Sequence, residues 1–141
     1  MEAALTGTDE TRETTMTNLL FGFQGRTNRA KFWLVALAIF VIEAILFAVL
    51  GSNVAMSDDP QEALARMGPV TSIVLLLFGI LVTWISIAVG IKRFHDRNKT
   101  GVWILIIFVP VIGGLWYLIE CGFLRGTAGP NDYGPDPLSA L

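Results

Sequence analysis

The chain has 141 residues, 53% of them hydrophobic and 16% charged, and a mean hydropathy of +0.61. A soluble domain ordinarily carries about 25% charged residues, so too few polar side chains remain to cover a water-soluble fold; disordered, collagen-like and coiled-coil chains are excluded too. The single cysteine, Cys121, rules out an internal disulfide framework and any CxxC metal site, and a net charge of −2 offers no basic field for nucleic acid.

Residues 1–17 are rich in Thr and Glu, poor in apolar side chains, and expected to be disordered. Residues 18–31 set Leu19, Leu20, Phe21 and Phe23 ahead of Arg26, Arg29 and Lys31, the pattern of an interfacial segment. Three apolar blocks follow. Residues 32–50 contain one charge, Glu43; residues 70–91 contain none; residues 102–124 contain one, Glu120. At about 1.5 Å per helical residue each block reaches roughly 28–35 Å, close to the hydrocarbon thickness of a bilayer. The expected fold is an all-α membrane protein with three transmembrane helices in a small bundle. The third helix is expected to be kinked or broken at Pro110 and Gly113-Gly114, because proline removes a helix hydrogen bond and clashes with the preceding turn. A re-entrant hairpin is the alternative. The domain plan is a disordered segment (1–17), a membrane domain (18–125) and a polar tail (126–141).

Between the first two blocks, Asp59 is placed to cap a short helix with Pro60 at its first position, and Gly68-Pro69 to stop it. Basic residues set orientation. Arg26, Arg29 and Lys31 precede the first block, and Lys92, Arg93, Arg97 and Lys99 crowd the second loop. The first loop carries Asp58, Asp59 and Glu62 against Arg66, and the tail begins with Arg125 alone. The N-terminus and second loop are therefore expected in the cytoplasm, and the first loop and the tail outside. A re-entrant third block would instead return the tail to the cytoplasm.

Three motifs stand in order around these blocks: FQGRTNRAKFW (23–33), KRFHDRNKTGVW (92–103) and GTAGPNDYGPDP (126–137). Together they resemble the family called domain of unknown function 805, small bacterial inner-membrane proteins with a GRxxRxxYW entry, an RRxHDxxxSGWW loop and an NxYGxDP tail. The resemblance spans residues 18–137. Phe32, Lys92, Thr100 and Val102 depart from the pattern. It implies a location in the bacterial cytoplasmic membrane and a multi-pass fold, but no activity.

The motif chemistry must then be read from the residues. Arg26, Arg29, Lys92, Arg93, Arg97 and Lys99 are the candidate contacts to anionic lipid or to a partner protein, since juxtamembrane cations and anionic headgroups attract at about 1 kcal/mol each. Phe23, Trp33 and Trp103 are the expected interface anchors. His95-Asp96 lacks accompanying metal ligands or a nucleophile, so Asp96 is expected to pair with Arg93 or Arg97 and fix the loop. Glu43, with Thr83, Ser86 or Tyr117 as possible partners, is an intramembrane polar group, expected to serve helix packing. Glu120 is placed near the outer end of the third block, within reach of Arg125. Ser72, Gly79, Thr83, Ser86 and Gly90 share one helical face that permits close approach, within a monomer or a homo-oligomer. Asp132 and Asp136 are too few for a calcium site, and the Gly/Pro pattern of the tail suits docking onto the bundle or a partner. The expected role is a non-enzymatic membrane interaction module without cofactor or metal; the alternative is a small transporter or channel subunit using Glu43.

Overall fold

A computed structural model describes residues 16–54 and 59–139. Among these residues every regular element is helical, apart from one isolated bridge between Asn131 and Gly134. The segment expected to be disordered lies outside the described residues as far as residue 15; residues 16–21 are helical.

Helix α1 (Arg29–Val54) begins where Gly25 turns the chain at φ +83° and Asn28 caps the first turn, its Oδ1 accepting the Lys31 N–H at 2.9 Å. Helix α2 (Pro60–Asp96) begins in the same way, with the Asp59 carboxylate accepting the Gln61 N–H at 2.9 Å. Gly68 breaks α2 at φ 70°, ψ 159°, a conformation essentially confined to glycine, and Pro69 opens the second stretch. Two helices are long and apolar enough to cross a bilayer: Arg29–Gly51 and Met67–Asp96, of 23 and 30 residues, whose most apolar windows are only 6% and 17% buried. Such bare apolar helices satisfy their own backbone groups and leave lipid to cover their side chains. Helix α2 ends at a left-handed residue, Asn98 (φ 56°). Lys99 N–H donates to the Phe94 carbonyl and Asn98 N–H to that of His95, both at 2.9 Å. These are the paired bonds of a Schellman cap.

The third apolar block is not a single spanning helix. A 3₁₀ helix, Gly101–Phe108, leads to a reversal at Pro110 and Val111. Val111 sits at φ 66°, ψ −57°, and Ile112 N–H donates to the Pro110 carbonyl at 2.7 Å. This is the strained, positive-φ form of the γ-turn. The chain then returns through α3 (Ile112–Tyr117) and a π-helical turn, Leu118–Phe123. Gly113 lies so close to the 3₁₀ leg that a Cβ would overlap the Ile106 carbonyl. The third span is thus corrected to a hairpin whose two ends meet. Proline supplies no N–H, and the valine after it accepts the turn that lets the legs close.

The chain divides into two compact units, each described by itself: Met1–Trp33 with Trp84–Leu141, and Leu34–Thr83. The second comprises α1 beyond Trp33 and α2 up to Thr83. The first holds the segment before α1, the end of α2, the hairpin and the tail. Its buried apolar side chains include Phe32, Ala88, Val89, Phe94 and Cys121. Phe32 and Phe94 each bring a ring within 6.1 Å of the Tyr117 ring. Gly90 lets the hairpin close on α2, since a Cβ there would crowd the Tyr117 hydroxyl at 2.6 Å and Ile104 at 2.7 Å.

Candidate functional site

The first unit ties the three sequence motifs together through buried charge. Asp96, at the end of α2, accepts from Arg93 at 2.5 Å and from Arg26 at 3.0 Å, and the side chains of both arginines are almost wholly buried. A carboxylate out of water must be paired in this way. Arg26 spends its remaining donors on tail carbonyls: Thr127 at 2.6 Å, Gly129 at 2.7 Å and Gly134 at 3.2 Å. One guanidinium thereby holds the segment before α1, the end of α2 and the tail. Arginine suits the task because its planar fork presents five donors.

Arg93 does the same for the hairpin. The last carbonyls of a helix have no partner inside it, and these end among apolar side chains. Arg93 Nε donates to Cys121 O at 2.6 Å and Nη2 to Leu124 O at 2.9 Å. Trp33 Nε1 reaches Gly122 O and Arg29 Nη1 reaches Phe123 O, both at 3.0 Å. Four consecutive carbonyls are thus satisfied, and the positive charge opposes the negative end of the helix dipole. Arg93 Nη1 also donates to Thr27 O at 3.2 Å.

The tail closes over this junction. Thr127 N–H donates to Asp96 O at 2.8 Å and Asn131 Nδ2 to His95 O at 2.9 Å. The Tyr133 ring stacks on His95 at 3.9 Å, 5° from parallel, while His95 Nδ1 lies 3.2 Å from Gly25 O. A Cβ on Gly126 would collide with the Asp96 carboxylate. Asp136 fixes the end of the tail, accepting the Leu138 N–H at 2.9 Å and the Gly129 N–H at 3.0 Å. Those two backbone donors hold its carboxyl below the usual aspartate range.

Several expectations change. Lys92 and Arg93 are buried, as is the side chain of Arg26, and all three spend their donors internally, Lys92 on the Asn18 and Leu19 carbonyls. They are structural cations, not free headgroup contacts. Arg97 Nε pairs with Glu120 at 2.6 Å, and Lys99 pairs with the same carboxylate. Glu120 therefore sits beside the basic loop, because the chain has reversed, and Arg97 also donates to the Arg125 carbonyl at 2.8 Å. The tail likewise packs on that loop, through Thr127 on Asp96 and Asn131 on His95. Asp96 pairs with Arg93, one of its two expected partners, and with Arg26 in addition.

The aromatic residues are partly engaged. Phe23 meets Trp84 at 5.1 Å, Trp33 caps the hairpin, and Lys99 Nζ stands 5.2 Å from the Trp103 ring. Glu43 is exposed and meets no hydrogen-bond or ion-pair partner among the described residues. Thr83 donates instead to the Gly79 carbonyl at 2.7 Å, and Ser86 is exposed. Thr27, Thr127 and Asn131 join the junction although none of them was expected there; their signal was membership of the motifs. Among the described residues no three His, Cys, Asp or Glu side chains gather as metal ligands.

The family described as "Protein of unknown function (DUF805)" matches residues 20–135. The chain is 33% identical over 117 residues to the inner membrane protein YhaI of Escherichia coli, covering 82% of this chain and 86% of that protein. It is 34% identical over 117 residues to the inner membrane protein YhaH of the same organism, covering 82% and 87%. It is 30% identical over 146 residues to the uncharacterized protein YiiR, also of Escherichia coli, covering 86% and 90%. No solved structure matches. With the motifs joined in one buried junction and two helices fit to cross a bilayer, the chain is an integral membrane protein and belongs to the DUF805 family.

Proposed function

We propose that this protein is a non-enzymatic interaction module of the bacterial cytoplasmic membrane whose basic face binds anionic phospholipid headgroups. Charge segregation carries the reading. Residues 16–33 and 84–139 hold Arg26, Arg29, Lys31, Lys92, Arg93, Arg97, Lys99 and Arg125 against Asp96, Glu120, Asp132 and Asp136, although the whole chain is net negative. The junction consumes the buried cations. Arg29, Lys31 and Arg125 remain exposed around it, and Arg97 and Lys99 keep about a quarter of their side-chain surface. Each such cation near an anionic surface contributes about 1 kcal/mol. The same residues orient α1 outward and α2 inward by the positive-inside rule, with the N-terminus in the cytoplasm.

The test is native mass spectrometry of the protein released from membranes of mixed phosphatidylglycerol and phosphatidylethanolamine. The reading expects retained phosphatidylglycerol, lost when Arg29, Lys31 and Arg125 are all changed to Glu. Equal retention of both lipids, or an unchanged pattern in the triple variant, would refute it.

A further inference from the structure

We infer that the hairpin from Gly101 to Phe123 enters only the leaflet faced by the basic loop, and that its partner there is the acyl chains of that single leaflet. The argument starts from length. The outward leg, Gly101–Phe108, has 8 residues, about 16 Å at the 3₁₀ rise of about 2.0 Å. The return leg, Ile112–Phe123, has 12, at most about 18 Å at the α-helical rise, since its π-helical half rises less per residue. Half of a hydrocarbon core of about 30 Å is about 15 Å. Each leg therefore matches one leaflet and falls well short of two.

Both ends of the hairpin are pinned at one level. Its start follows the Asn98 cap of α2, and its last carbonyls are held by Arg93, with Glu120 held by Arg97 and Lys99. Between these ends the legs run along α2 past Gly90, which meets Ile104 on one leg and Tyr117 on the other. The far end carries apolar side chains only: Phe108 is 81% exposed, Val111 91% and Ile112 64%. Charge at one end and bare hydrocarbon at the other is the polarity of a segment inserted from one side. The turn satisfies two of its backbone donors internally, since the Ile112 and Gly113 N–H groups donate to the Pro110 and Val109 carbonyls. The hairpin then adds cross-section to one leaflet and none to the other, and the tail shares the side of the N-terminus.

The inference rests on membrane embedding and not on the headgroup reading, which can fail without moving any terminus. The test pairs two measurements on the full chain in membranes. Reporters fused to the two ends should read on the same side, whichever side that is. A fluorophore on Val111→Cys, or on Phe108→Cys should the first variant misfold, should be quenched most by lipids brominated near the bilayer midplane; the native Cys121 is buried and provides the unlabelled blank. Termini on opposite sides, or a quenching maximum at either headgroup level, would overturn it.

Discussion

Arg93→Met is the sharpest test of the junction. Methionine keeps much of the stem volume and removes every donor. Cys121 and Leu124 carbonyls lose their Arg93 bonds, the Thr27 carbonyl loses its 3.2 Å bond, and Asp96 keeps only Arg26. Removing one partner of a buried ion pair costs about 3–5 kcal/mol. Each orphaned buried acceptor carries a penalty of about 1–3 kcal/mol, but contacts sharing one side chain do not add, so the ion-pair range serves for the whole. At 1.4 kcal/mol per decade that is about two to three and a half decades in the unfolding equilibrium. Arg93→Lys keeps the charge but not the fork, and should fall between methionine and the native residue. Denaturant titration in mixed micelles, followed by tryptophan fluorescence, reads the change; Trp33 and Trp116 both belong to the affected unit. A methionine variant within about 0.5 kcal/mol of wild type, the range of ordinary surface substitutions, would show that the buried guanidinium does not hold the hairpin.

Arg26→Gln should free the tail before it unfolds anything else, because three of its bonds go to tail carbonyls; limited proteolysis should then cut within residues 126–139 while the helices stay intact. Gly113→Ala should destabilise by about 2 kcal/mol or more, in the range of overpacked sites, whereas Gly114→Ala, which meets nothing within 4 Å, should be neutral or slightly stabilising through helix propensity; equal melting of the two would contradict the close hairpin. Asp136 has its folded carboxyl lowered, so its contribution is complete above the ordinary aspartate value of about 3.9 and is lost as pH falls through the lower folded value. The Gly129 and Leu138 amide resonances should accordingly titrate with a midpoint below 3.9, and Asp136→Asn should abolish the transition.

Much of this arrangement was legible in the residues. The caps at Asp59-Pro60 and the break at Gly68-Pro69 are local, so local chemistry sufficed. The motifs identified the right segments, since buried arginines, glycines at close approaches and prolines in a folded tail leave marks in composition. The third block was ambiguous for a physical reason. Pro110 and Gly113-Gly114 are equally compatible with a kink and with a reversal; what favours reversal is the satisfaction of the Cys121 to Leu124 carbonyls by Arg29, Trp33 and Arg93, which are far away in sequence. The same long-range pairing hid the fate of the cations. A run such as KRFHDR has one appearance whether its side chains face headgroups or each other. Glu120 was misplaced because its position along the chain was read as depth in a membrane.

The reach of Arg26 also imposes an order on biosynthesis. Its partners at Gly129 and Gly134 are made 103 and 108 residues after it, after the residues of both long helices. Until then the growing chain holds a guanidinium whose acceptors do not yet exist, beside an Asp96 that is itself made 70 residues later. The full set of Arg26 bonds can form only after residue 134 has been made, so a chain that ends within the hairpin would carry Arg26 without its tail acceptors.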